Sequence, residues 1–222
     1  MGCEARLHTS HLRHADIADA IERGVRAACA RLDREQAVYG LDIRDELALH
    51  PLLAESLRAA GLGVHREVRY PADRGKRKIA EGERCDFVLT ADGRPLVAEA
   101  ARGTLFDDPN AVPLDEAFWL EAKVVSQFGM EGPNRNYASQ LLSAVRHDVT
   151  KLSKEAGILH AGLLIVLFVR EPLVAEHDLR IWQDRCLERG LPIGAPAQRC
   201  VPIRDRHGHA ACTIAVYPVA HL

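Results

Sequence analysis

Phe118-Trp119-Leu120-Glu121-Ala122-Lys123-Val124-Val125 is the stretch on which the fold turns. Its aromatic and β-branched residues favour a strand. Side chains along a strand alternate between faces, so Glu121 and Lys123 share one face while Leu120, Ala122 and Val124 share the other. Two opposite charges therefore occupy one face of an otherwise apolar central strand. Burying charges in such a place costs several kcal/mol unless they pair with each other or with a metal. That demand marks the stretch as a candidate site.

Working outward, residues 85–90 form a short apolar strand with Asp86 at its start. If this strand pairs with the first, Asp86 and Glu121 converge on one hard cation such as Mg²⁺ or Mn²⁺, which takes oxygen ligands and keeps several waters. Lys123 then lies beside such a water. A metal-bound water next to an ammonium loses its proton more easily, and the metal neutralises charge on a scissile phosphate, a combination suited to phosphodiester hydrolysis.

Downstream, Leu141, Val145, Val149 and Leu152 repeat at helical spacing, predicting a long helix over residues 136–156 with Gly157 as its stop. Residues 163–169 are an almost unbroken apolar run, as in a strand buried on both faces. Upstream, Ile17, Ile21, Val25, Ala28 and Leu32 predict an amphipathic helix over residues 16–33. A second helix is predicted over residues 43–60, with Asp42 as a candidate N-cap and Gly61 as its end. Pro51 lacks the N–H that bonds back one turn, which predicts a kink there or two short helices. Residues 64–70 read as a strand ending at Pro71. The Asp92-Gly93 turn suggests that residues 94–99 return as a hairpin strand. The tail reads as a helix over residues 176–189, closed by Gly190 and Pro192, then a hairpin of 201–204 with 212–217 around His207-Gly208.

With 222 residues, 47% hydrophobic and 27% charged, the chain suits a single well-cored α/β domain. Its core spans about residues 42–170, with an N-terminal helical extension over 1–41 and a C-terminal helix and hairpin over 171–222. No apolar run approaches the ~20 residues that span a bilayer, and charges fall where a secretory signal would have its apolar core, so a soluble cytoplasmic protein without a membrane partner is expected. Six cysteines lie far apart without a Cys-x-x-Cys pair, which points to free thiols rather than zinc or redox chemistry. A net charge of -2 makes no global electrostatic case for nucleic-acid binding, so that case rests on local clusters. Arg74, Lys76, Arg77 and Lys78 form one such cluster. They read either as a phosphate-contacting segment or as a solvated hairpin tip diluted by Glu81 and Glu83.

Asp86, the following Glu121-Ala122-Lys123 and the order of elements around them resemble the PD-(D/E)XK nuclease superfamily. In that superfamily an acid on one strand precedes a Glu-x-Lys on the next, within an αβββαβ core. The resemblance covers about residues 43–169. It implies a restriction-endonuclease-like fold, a mixed central sheet flanked by helices, here with an added N-terminal helix and a C-terminal helix and β-hairpin. It also implies metal binding by Asp86, Glu121 and the Ala122 carbonyl, Lys123 positioning the nucleophile, and DNA as the substrate. The residue before Asp86 is Cys85 rather than proline, and the gap to Glu121 must hold an insertion. Glu99, in Val-Ala-Glu-Ala-Ala, competes as the second acid but lacks the lysine. Many members carry a further acid on the first helix. Glu46 shares the stripe of Leu49, Leu53 and Leu57, whereas Glu55 lies opposite, so Glu46 is chosen. Gln127 and Gln140 follow the Glu-x-Lys and read either as contacts to the site or a phosphate or as polar contacts at the surface.

Two other readings stay open: a nuclease-fold protein that binds nucleic acid or acts structurally without cleavage, and a small-nucleotide phosphoesterase. A homodimer is compatible with cutting two strands, which takes two sites. His8, His11 and His14 lack ligand partners at suitable spacing, and His207 and His209 flank a turn where exposure is expected. Lys151 and Lys154 face either DNA or water, and Trp119 and Trp182 read as core or interface residues.

Overall fold

The computed structural model describes residues 12–71, 83–97 and 108–221. The apolar run near residue 165 becomes the hub of the sheet. Strand β6 (His160–Val169) is buried along almost all of its length. It pairs in parallel with β3 (Phe118–Ser126) and antiparallel with β8 (Ala211–Val219). Strands β1 (Gly63–Arg69) and β2 (Arg84–Thr90) continue the sheet beyond β3, and β7 (Ala197–Pro202) closes the far edge, giving the order β1-β2-β3-β6-β8-β7. A short hairpin, β4 (Phe128–Gly129) with β5 (Gly132–Pro133), stands apart from this sheet.

Alternation along the strands produces two cores. Phe87, Leu120, Ala122, Leu164 and Val166 face α1 (His14–Arg34) and α2 (Glu46–Ala59). Trp119, Val125, Leu163 and Ile165 face the other way, toward a helical segment over 137–154 and α5 (Pro172–Glu188). That segment is a short α3 (Tyr137–Ser139), a π-helical stretch Gln140–Ala144, and α4 (Val145–Lys154). The chain is thus an α/β protein with a mixed six-stranded sheet between helices. Gly24 lets α1 approach α2 closely, since a Cβ there would collide with Ser56 Oγ. Trp119 and Trp182 are both fully buried. Among the described residues no helix is long and apolar enough to cross a membrane, and Cys29, Cys85, Cys186, Cys200 and Cys212 are free thiols.

Several local expectations change. Helix α2 runs through Pro51 without interruption. Leu47 and Pro51 both lie on the exposed face, where water can take the Leu47 carbonyl that proline leaves unbonded. The N-cap is Asp45, whose side chain accepts the Ala48 N–H at 2.8 Å. Residues 94–97 do not form a hairpin strand against β2, because β1 and β3 already occupy both of its edges; Leu96 makes an isolated parallel bridge to Val112. Residues 98 and 99, including Glu99, lie outside the described residues.

Asp42 and His209, expected at a helix cap and an exposed turn, are instead partners in the interior. Both are essentially inaccessible, with His209 Nδ1 2.8 Å from Asp42 Oδ2, while His209 Nε2 accepts the Phe128 N–H at 2.9 Å. This contact ties the β7–β8 connection to the chain leading into α2 and to β4. We predict that His209→Ala lowers stability by about 3 kcal/mol or more, because it strands a buried carboxylate and an N–H together. The denaturant midpoint reads this out; a change under about 1 kcal/mol would mean the pair contributes little.

Candidate active site

The site forms where β2 and β3 part. Their register runs Phe87↔Leu120, Val88↔Trp119 and Leu89↔Phe118 and goes no further along β3. Beyond Leu120 the backbone N–H groups on that edge of β3 need other acceptors. Two carboxylates supply them: Asp86 Oδ2 accepts the Ala122 N–H at 2.9 Å, and Glu46 Oε2 accepts the Val124 N–H at 3.2 Å. Within an extended strand one residue's N–H and C=O project to the same side, so the Ala122 carbonyl faces the same opening. Opposite Asp86, Glu67 breaks the β1–β2 ladder with a φ of 54°. A non-glycine residue held there costs about 1–3 kcal/mol, which makes the site a local reservoir of strain.

Glu46, Asp86, Glu121 and Lys123 are brought together. Glu46 is the first residue of α2, where the helix dipole favours a carboxylate. Its Oε1 lies 3.1 Å from Lys123 Nζ, while Glu55 is exposed on the other side of the helix. Lys123 Nζ also lies 3.5 Å from Asp148 Oδ2 on α4. Glu121 is 3% exposed; its Oε1 receives Lys151 Nζ at 2.7 Å and the Tyr70 hydroxyl at 2.5 Å. Asp86 and Glu121 lie close enough for each to shift the other's protonation.

Lys151, read from sequence as facing DNA or water, is therefore an interior ion-pair partner, whereas Lys154 is exposed. The π-helical stretch resets the phase of the helix before Asp148 and Lys151, and such bulges recur at functional sites. Tyr70, His50, Asp148 and Lys151 carried no site assignment from sequence. Asp148 did leave a signal: it falls on the apolar stripe of Val145, Val149 and Leu152, where a charge needs a partner.

Gln127 caps the backbone, its Oε1 accepting the Arg170 N–H at 2.9 Å, and Gln140 Oε1 accepts from Asn134 Nδ2 at 3.0 Å. Gln140 lines an open cleft of about 450 Å³ with Arg44, Glu46, Lys123, Ser126 and Asn134. A more enclosed cavity of about 330 Å³ lies at the start of β3, around His14, Phe118 and His160, and contains none of these acids. Arg74, Lys76, Arg77 and Lys78 lie outside the described residues.

Charge is unevenly distributed over the carboxyls. Burial, then the hydrogen bond and charge of Glu121, push Asp86 up to about 8. For Glu121 burial also works upward, but the bond from Asp86 and the ammonium of Lys151 outweigh it and hold it low. Burial raises Asp148 to about 6 against the pull of Lys123. Burial opposes the Lys123 charge, yet Asp148 and then Glu46 keep it protonated.

A divalent cation fits this donor set. Buried Glu121, half-buried Asp86 and the carbonyls of the open β3 edge supply hard oxygen ligands. The fully buried His50, held neutral by burial, has no hydrogen-bond partner on either ring nitrogen. Its Nε2 lies 4.0 Å from Asp86 Oδ1, and single ligand atoms of His50, exposed Glu67 and Asp86 lie within 4.8 Å of one another. Comparison of the chain with protein-family models, curated proteins and solved structures gave no match.

A pH dependence follows for the metal-free protein. In the unfolded chain Asp86 titrates at about 3.9. Between there and about 8 the folded chain holds a proton that the unfolded chain has released. Stability therefore falls as pH rises through that window. Asp86→Asn removes the titrating group, so melts in EDTA should show wild type losing ground to the variant from about pH 5 to about pH 8. Parallel curves would contradict the assignment.

Proposed function

We propose that the chain is a metal-dependent nuclease of the PD-(D/E)XK type that hydrolyses DNA phosphodiester bonds. The observation carrying this reading is that Asp86 accepts the Ala122 N–H at 2.9 Å where two strands part, which sets it against β3 between Glu121 and Lys123. Asp86, Glu121 and the Ala122 carbonyl would hold Mg²⁺ or Mn²⁺. The ion, when bound, would supply positive charge to the phosphate and acidify water.

The chain's own residues support the rest. Lys123, kept protonated between Asp148 and Glu46, is a cation rather than a base, suited to countering charge on a phosphorane-like transition state and to orienting the attacking water. Glu46 fixes that ammonium while also closing the β3 edge. The cleft beside Lys123 is open, with Arg44, Asn134 and Gln140 along it, a shape suited to a polymer strand more than to an enclosed nucleotide. The rival reading without cleavage would gain support from acids too far apart to share a cation, whereas Asp86 sits on the backbone N–H of the residue that follows Glu121.

We expect Mg²⁺-dependent cleavage when plasmid and single-stranded DNA are offered, with RNA and free nucleotides screened alongside. Lys123→Ala should lower the rate by about 10²-fold or more. Cleavage that survives both EDTA and this substitution would refute the mechanism.

A further inference from the structure

Buried Glu121 already has a cation. Lys151 reaches from α4 to Glu121 Oε1 at 2.7 Å, and its side chain is 17% exposed. Its ammonium also sits 4.6 Å over the centre of the Tyr70 ring, whose hydroxyl donates to that same oxygen. Ring face and carboxylate together define one position for the charge. Lys123 is engaged elsewhere, with Glu46 and Asp148. A second carboxylate, Glu83 Oε2, lies 4.0 Å from Lys151 Nζ at the start of the β2 region, and it is 57% exposed.

We propose that Lys151 is the resident counter-cation of the acid pair: it neutralises Glu121 in the metal-free protein, competes with the divalent ion for that carboxylate, and shifts toward Glu83 when the ion binds. The proposal rests on the metal-binding reading above. Its physical basis is Coulombic. An ammonium in contact with a ligand oxygen opposes a dication approaching that ligand, and burial keeps the opposition from being screened by salt. The same contact supplies the charge without which the buried Glu121 carboxylate would be costly. Lys151 thus keeps the fold tolerable without metal and sets the ion concentration at which the site loads.

The test is Mn²⁺ binding to the full chain without nucleic acid, followed by the electron paramagnetic resonance signal of free Mn²⁺, for wild type, Lys151→Met and Lys151→Arg. Lys151→Met should bind Mn²⁺ about tenfold more tightly or better, since a nearby positive charge has gone. Lys151→Arg keeps the charge and should stay within about threefold of wild type. In EDTA, Lys151→Met should melt below wild type, and saturating Mn²⁺ should close the gap. If Lys151→Met does not fold in EDTA, Lys151→Gln carries the same comparison. Equal or weaker Mn²⁺ binding by a folded charge-removed variant overturns the proposal while the metal-binding reading stands. Absence of Mn²⁺ binding by folded wild type and variant alike overturns both.

Discussion

The rest of the site depends on β2 and β3 ceasing to pair after Leu120. A strand edge inside a protein cannot leave its N–H groups without acceptors. Here the acceptors are the side chains of Asp86 and Glu46, so completing the backbone places two carboxylates at the opening. Period-two alternation then puts Glu121 and Lys123 on the α4 side of that opening, and α2 delivers Glu46 from the other. The site is a consequence of how the sheet ends its pairing, and the surrounding charges answer to it.

Those charges are matched pair by pair. Lys123 serves Glu46 and Asp148, Lys151 serves Glu121, and Asp86 receives the Ala122 N–H in place of an ammonium. Asp86 is accordingly the carboxyl whose proton is held to about 8. One acid of the network stays neutral for want of a cation, beside a buried imidazole that burial also holds neutral. Strained Glu67 and the π-helical stretch lie on either side of this cluster, which suits the tendency of irregular backbone to gather at functional sites.

Much of this was legible in the sequence because strands and helices impose short periods. Phe118–Ser126 announced its two charges, the apolar stretch 85–90 announced Asp86, and the stripe of Leu49, Leu53 and Leu57 selected Glu46 over Glu55. The α/β class followed from the order of apolar runs, and the mixed sheet from the resemblance which that order helped to carry. The partners that complete the cluster were less accessible, since each depends on distances through space. Lys151 lies 30 positions from Glu121, counted as 151 minus 121, and nothing local distinguishes an interior lysine from a solvated one. Asp42 and His209 meet across the whole chain, where no periodicity reaches. The Asp92-Gly93 turn misled because turn chemistry says nothing about which strand edges are already taken.

The most direct test of the account is a crystal of the protein soaked in Mn²⁺ and measured at the manganese absorption edge. The account predicts an anomalous peak bounded by Asp86, Glu121 and the Ala122 carbonyl, with Lys151 moved off Glu121. A map from an ordered site at saturating Mn²⁺ with no peak between those carboxyls, and Lys151 still on Glu121, would contradict it.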